Sequence, residues 1–161
     1  MPEWTEALIW QALDEIKDPE IPVVSVVEMG IVRAVQVDGD RVTVTFTPTF
    51  SGCPALDVMR EQIHSRLRAL GIPNVEVRTV LHPPWTSDWI TDAARAKLRA
   101  FGLAPPARHG GDVNVILLDQ APCPRCGSDD TTLRNRFGST LCRTIYTCNV
   151  CHETFEQFKA L

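Results

Sequence analysis

The sequence predicts an α+β protein: a two-layer domain of helix, β-hairpin, helix, strand and helix, followed by a small zinc-ribbon module. Three observations carry this reading. Val42, Val44 and Phe46 alternate with Thr43, Thr45 and Thr47, the period of a half-buried strand. Leu56, Met59, Ile63, Leu67 and Leu70 then recur at helical spacing. Further on, Cys123-Pro124-Arg125-Cys126 and Cys148-Asn149-Val150-Cys151 form two knuckles with 21 residues between Cys126 and Cys148, close to the spacing of paired zinc knuckles.

The 161 residues leave room for one domain of about 100 residues and a small appendage. With 44% hydrophobic and 22% charged residues the chain is globular rather than disordered or fibrous. Residues 1–120 carry 11 basic and 16 acidic groups, and residues 121–161 carry 5 and 4, so no dense basic patch suggests nucleic-acid binding. Glu3 and Glu6 stand where a secretory signal has its basic region, and no apolar run is long enough to span a bilayer. The expected compartment is the cytosol, with neither membrane nor nucleic acid as a partner. There, six cysteines point to metal binding or thiol chemistry rather than disulfides.

Taken in order, Trp4 to Lys17 reads as a helix with Leu8, Ala12, Leu13 and Ile16 on its inner stripe, stopped by Asp18-Pro19. Ile21 to Glu28 is an apolar loop or extended segment. Ile31 to Val37 and Arg41 to Thr47 read as an antiparallel hairpin turning at Asp38-Gly39-Asp40. A second helix spans Pro54 to Leu70 and stops at Gly71, and Val75 to Leu81 follows as a strand reached by a parallel crossover. The prolines of His82-Pro83-Pro84-Trp85 make a shaped loop, after which Thr86, Ser87 and Asp88 are candidate caps for a third helix from Ile90 to Phe101. The expected domains are 1–103, a Pro/Gly linker with a short β-type run at Val113–Leu118 over 104–120, and the ribbon over 121–161.

In the ribbon, Thr131–Arg136 and Arg143–Thr147 read as strands between the knuckles. Cys123, Cys126, Cys148 and Cys151 supply four sulfurs for one tetrahedral ion, which leaves no open position and makes the site structural. Zinc leads, and a single iron in the same sulfur set is the chemical rival. Cys142 fits neither knuckle and reads either as a small buried residue or as an extra thiol for exchange. His152 is a spare ligand or a surface residue, and His64 is a surface residue.

Cys53, in Ser51-Gly52-Cys53-Pro54, falls at the turn from strand to second helix. With Pro54 as first helical residue, Cys53 becomes the N-cap, where amides and the helix dipole favour a thiolate. The other reading is an inert cysteine packed under the turn. Asp18, Glu20 and His82 are candidate oxygen and nitrogen ligands, or simply loop-capping and solvated groups.

Asp18-Pro19-Glu20-Ile21, Met29-Gly30-Ile31-Val32, Thr47 to Pro54 and Pro84-Trp85 before a helix together resemble the MIP18-like (DUF59) family of iron–sulfur assembly proteins. Phe46 to Ala55, Trp85-Thr86-Ser87-Asp88-Trp89, Cys-Pro-x-Cys and Phe137-Gly138-Ser139-Thr140 narrow the resemblance to the D-protein branch of bacterial phenylacetyl-CoA epoxidase systems. It covers nearly the whole chain. The resemblance implies an accessory role in aerobic phenylacetate breakdown, maturing the iron centres of the epoxidase oxygenase and reductase subunits. It also implies that Cys53 is the residue of iron–sulfur work, handling iron or a cluster, with a homodimer if a cluster bridges two copies. Glu28 stands where relatives often carry Asp, and His82 where an acid is common, so His82 is a substitute nitrogen ligand if that acid binds iron. The alternatives are a thiol-dependent enzyme using Cys53 as nucleophile and His82 as base, and a zinc-ribbon interaction module without metal delivery.

Overall fold

A computed structural model of the chain describes residues 3–50, 52–114 and 120–161. Packing divides it into two compact units, Met1–Trp85 and Thr86–Leu161.

In the first unit, helix α1 spans Glu6–Asp14 and is capped by Thr5, whose hydroxyl accepts from the Leu8 amide at 3.2 Å. The helix is shorter than Trp4–Lys17 because the Ile16 amide already bonds back to Leu13 and Lys17 forms an antiparallel bridge with Ser25. Leu8, expected on the inner stripe, is 42% exposed, and Ile9 is buried in its place. The segment from 18 to 31 folds back on itself through Asp18 N–H to Val24 O (2.9 Å) and Val26 N–H to Ile16 O (3.0 Å), burying Ile21, Val24, Val26 and Met29.

Strand β1 (Val32–Asp38) pairs antiparallel with β2 (Arg41–Phe46), with Asp38 opposite Arg41 across the turn. Helix α2 (Leu56–Ala69) then leads to β3 (Asn74–Thr79), which lies parallel to β2, with Val44 opposite Val77 and Phe46 opposite Thr79. The strand order is β1-β2-β3, as strand–helix–strand connectivity predicts. Val42, Val44 and Phe46, at period two, join Ile9, Leu13, Met59, Ile63 and Leu67 in the core. α1 packs on α2 and β1, and α2 on β3.

In the second unit, a single 3-10 turn at Ser87–Trp89 precedes helix α3 (Asp92–Phe101). The expected caps divide differently: Thr86 caps the 3-10 turn, and Thr91, accepting from the Ala94 amide at 3.1 Å, caps α3. Strand β4 (Leu103–Ala104) follows, then β5 (Thr131–Asn135), β6 (Arg143–Cys148) and β7 (Thr154–Phe158), in the order β4-β7-β6-β5. Proline and glycine at 104–111 mark where regular structure stops. Packing runs otherwise: β4 pairs in parallel with β7 and holds α3, so both belong to the unit of the ribbon. The β-type run at Val113–Leu118 lies largely outside the described residues.

Candidate functional site

The two knuckles share a backbone design. The Gly127 amide donates to Cys123 O at 2.8 Å and the His152 amide to Cys148 O at 3.0 Å. Each turn is closed by the amide of its first cysteine, Cys123 to Ser128 O (2.9 Å) and Cys148 to Glu153 O (2.8 Å). The second knuckle bridges β6 and β7, so the sheet fixes its position. Tyr146, stacked on Phe155 with ring centroids 5.9 Å apart, packs with Ala104, Ala121, Cys123 and Cys148 in a small core beside it.

All four sulfurs lie within 4.8 Å of one another, with Cys123 to Cys151 and Cys126 to Cys148 both at 3.6 Å. Those separations exclude disulfides, whose sulfurs lie about 2.0 Å apart. They match the edge of about 3.8 Å that a tetrahedron of thiolates has around an ion at about 2.3 Å. The donor set therefore fits one tetrahedral metal ion, and among the described residues no other group of three or more His, Cys, Asp or Glu has this closeness.

The electrostatics favour a bound cation over four free thiolates. The Cys151 amide, at 3.5 Å, helps bring the Cys148 thiol down to about 7. Cys151 has a favourable amide of its own from Glu153, yet burial and the neighbouring thiols push it up to about 12. Four sulfurs in so small a volume cannot all ionise by themselves. A dication reverses that balance.

Of the remaining ribbon residues, His152 is exposed and lies outside the ligand group, with φ of 62°. Cys142 is half-buried, its sulfur 3.0 Å from the Thr140 hydroxyl. A contact of that kind leaves no trace in cysteine spacing.

Cys53 is half-buried and outside any disulfide. It is not the N-cap. Helix α2 begins at Leu56 behind Ala55, whose backbone is already helical, and no side chain caps it. Instead Cys53 donates its amide to Phe50 O (3.0 Å) and accepts from the Leu56 amide at 3.2 Å, a tight turn just before the helix. Proline at 54 needs no amide partner in such a turn, so it fits there as well as at a first helical position.

Strand direction brings three segments to one end of the first sheet. Val32 pairs with Phe46, and Phe46 with Thr79, so the loop before β1, the turn after β2 and the loop after β3 all leave from the same end. These segments carry Asp18 and Glu20, Cys53, and His82 respectively. Backbone bonds tie them to the sheet end: Thr47 N–H to Ile31 O at 2.8 Å and Val80 N–H to Phe46 O at 2.9 Å. Trp85, buried, donates its indole N–H to Met29 O at 2.9 Å, clamping the third segment to the first.

Asp18 is buried and its Oδ1 accepts from the amides of Glu20 (2.8 Å) and Ile21 (3.2 Å), a turn-capping role. Glu20 is half-buried and His82 exposed, the latter preceding a cis Pro83.

Comparison with known proteins agrees with both units. The family model described as PaaD zinc beta ribbon domain matches residues 116–159, and that of the iron-sulfur cluster assembly protein matches residues 6–81. The chain is 42% identical over 153 residues to the D component of the "putative 1,2-phenylacetyl-CoA epoxidase" of Escherichia coli K12, covering 95% of this chain and 92% of that one. It is 34% identical over 100 residues to an Fe-S protein maturation auxiliary factor of Bacillus subtilis, 61% of this chain and 97% of that one. Among solved structures, a DUF59 domain from Bacillus anthracis aligns with TM-score 0.54 and 27% identity over 58% of this chain and 90% of that one. A conserved hypothetical protein from Thermotoga maritima aligns with TM-score 0.54 and 28% identity over 61% and 97%. No helix among the described residues is long and apolar enough to cross a membrane.

Proposed function

The chain belongs to the family of the D proteins of phenylacetyl-CoA epoxidase systems, an iron–sulfur assembly domain joined to a PaaD-type ribbon, and on that premise we propose that it is a non-enzymatic maturation factor for iron centres. The cargo is iron or an iron–sulfur cluster held through the Cys53 thiolate, and the clients are the oxygenase and reductase of the epoxidase. Asp18, Glu20 and His82 are the auxiliary ligands in this reading. The ribbon ion is zinc, held by Cys123, Cys126, Cys148 and Cys151. It is structural, because four thiolates close its coordination shell.

What supports the reading is that the loop before β1, which carries Asp18 and Glu20, the Cys53 turn after β2 and the His82 loop after β3 all leave from one end of the β1-β2-β3 sheet, although among the described residues no three of these side chains lie at common ligand distance. One thiolate with oxygen and nitrogen donors in adjoining segments suits a carrier. Cys53 sulfur holds iron firmly enough to keep it, and the harder groups yield to incoming client thiolates. Transfer is then ligand exchange: each client sulfur that binds iron displaces one carrier ligand, with no net redox change. The names of the relatives in Bacillus subtilis and Escherichia coli support, respectively, the maturation role and the client system.

The test is the iron content of the epoxidase oxygenase and reductase isolated from cells carrying Cys53→Ser. Depleted iron with normal polypeptide levels is expected. Clients as fully loaded as those from wild-type cells would end the proposal.

A further inference from the structure

Residues 131–147 carry Arg134, Arg136 and Arg143 and no acidic side chain. They include β5, which among the described residues is the edge of its sheet and is hydrogen-bonded to β6 on one side, and residues 132–137 are exposed throughout. On the same stretch Leu133, Phe137 (61%) and Leu141 (56%) face solvent.

A lone exposed apolar residue needs no explanation. Here the loop that presents two of them is held in place. The Phe137 amide donates to Asn135 Oδ1 (3.0 Å), the Gly138 amide to Arg143 O (2.8 Å), and the amide and hydroxyl of Ser139 to the Glu156 carboxylate (2.6 and 3.0 Å). Lys159 Nζ donates to Leu141 O at 2.6 Å and lies 4.8 Å from the centre of the Phe137 ring. A side chain at Gly138 would crowd the loop, its Cβ meeting Arg143 Cβ at 3.0 Å and displacing the Glu156 carboxylate, 2.7 Å away. Phe137 and Leu141 are therefore exposed on a loop already ordered, which removes the entropy cost of fixing it on association. An aromatic anchor beside arginines is the composition of interface hot spots.

We propose that the β5 edge and the Phe137–Leu141 loop dock an extended acidic segment of a partner protein. The segment adds a strand to β5 through backbone hydrogen bonds and sets an apolar side chain against Phe137 and Leu141, while its carboxylates meet Arg134 and Arg136. Glu156 pairs with Arg143 at 2.9 Å, which leaves Arg134 and Arg136 as the charge beside the β5 edge and selects an acidic occupant. An open strand edge beside apolar side chains favours a peptide over nucleic acid, because so few cations neutralise few phosphates. Docking is independent of the cargo at Cys53 and persists in Cys53→Ser.

The experiment titrates the zinc-loaded, nitrogen-15-labelled full chain with a synthetic acidic peptide alternating glutamate and threonine around one central phenylalanine. Amide shifts confined to residues 131–141 are expected. Affinity should fall roughly tenfold or more in Arg134→Glu/Arg136→Glu and in Phe137→Ser. Leu141→Ser serves as the second apolar variant, and zinc content and amide dispersion establish that each variant is folded. N-methylation of alternate peptide nitrogens should abolish binding. Absence of binding, shifts elsewhere in the chain, equal binding of the N-methylated peptide, or tighter binding of single-stranded oligothymidylate at the same residues would each overturn the proposal.

Discussion

His152 occupies in the second cysteine knuckle the place that Gly127 occupies in the first. Each lies four residues after the first cysteine of its knuckle, in left-handed backbone, with φ of 62° and 76°. Each donates its amide to the carbonyl of that cysteine. One geometry is thus built twice, once with the residue that adopts it without cost and once with an L side chain that does not.

Replacing His152 with glycine should therefore stabilise the ribbon. Relief of the left-handed conformation gives about 1–2 kcal/mol, and the greater freedom of glycine in the unfolded chain takes back about 0.4–1 kcal/mol. A net gain of about 0–1.6 kcal/mol is expected in thermal unfolding with zinc present. Zinc stoichiometry should not change, since His152 lies outside the ligand group. Loss of the ion in His152→Gly would instead make it a ligand.

Local chemistry is what the sequence makes visible. The Cys-x-x-Cys pairs, the Val42-Val44-Phe46 alternation and the helix stop at Gly71 are decided within a few residues, and the structure has them. Features set by distant partners were not legible. The end of α1 is one, set where the following segment returns to bridge Lys17 to Ser25; Ile9 in place of Leu8 is not, since Ile9, Ala12, Leu13 and Ile16 stand at i, i+3, i+4 and i+7 and are buried together. β4 is a two-residue strand only because β7 lies beside it, and β7 itself, Thr-Phe-Glu-Gln-Phe, is too short and mixed to declare its period. Cys53 was visible as a residue on a strand-to-helix turn, but the start of α2 at Leu56, two residues after Pro54, was not, since proline fits either position. The convergence of the Asp18, Cys53 and His82 segments follows from strand direction, which one chain's pattern indicates only through its hairpin and crossover.

Removing the ribbon ion should unfold the ribbon selectively. Cys148→Ser, or a strong chelator on the wild type, should abolish the zinc signal and collapse the amide dispersion of β5 to β7, because the metal supplies stability that so small a module lacks. The amides of Met1–Trp85, a compact unit with its own core, should keep theirs. Cys142→Ser should retain zinc, its sulfur contacting the Thr140 hydroxyl outside the four-sulfur group. Elemental analysis and heteronuclear spectra of the three samples decide this.

Trp85 separates packing from hydrogen bonding in the clamp on Met29. Trp85→Phe keeps most of the buried ring but leaves the Met29 carbonyl without its indole donor, a loss of about 1–3 kcal/mol. Trp85→Ala adds the cavity and should cost about 3–5 kcal/mol in urea unfolding. If the loop does no more than fill space, the phenylalanine variant will match wild type.

Asp88 should give the second unit an acid-sensitive fold. Burial alone would raise its carboxyl, but the amides of His109 (2.9 Å) and Gly110 (2.7 Å), with positive charge from nearby side chains, hold it below its ordinary value. A carboxyl lowered by folding contributes stability above its unfolded value of about 4, and that contribution disappears as pH falls through the lower folded value. Asp88→Asn should thus cost roughly 1–3 kcal/mol at pH 7, where two amides lose a charged acceptor, and should narrow its deficit against wild type as pH drops below about 4. Unfolding of the two chains at pH 7 and pH 3 measures this directly: a deficit that stays the same at both values would mean that Asp88 acts through shape, not charge.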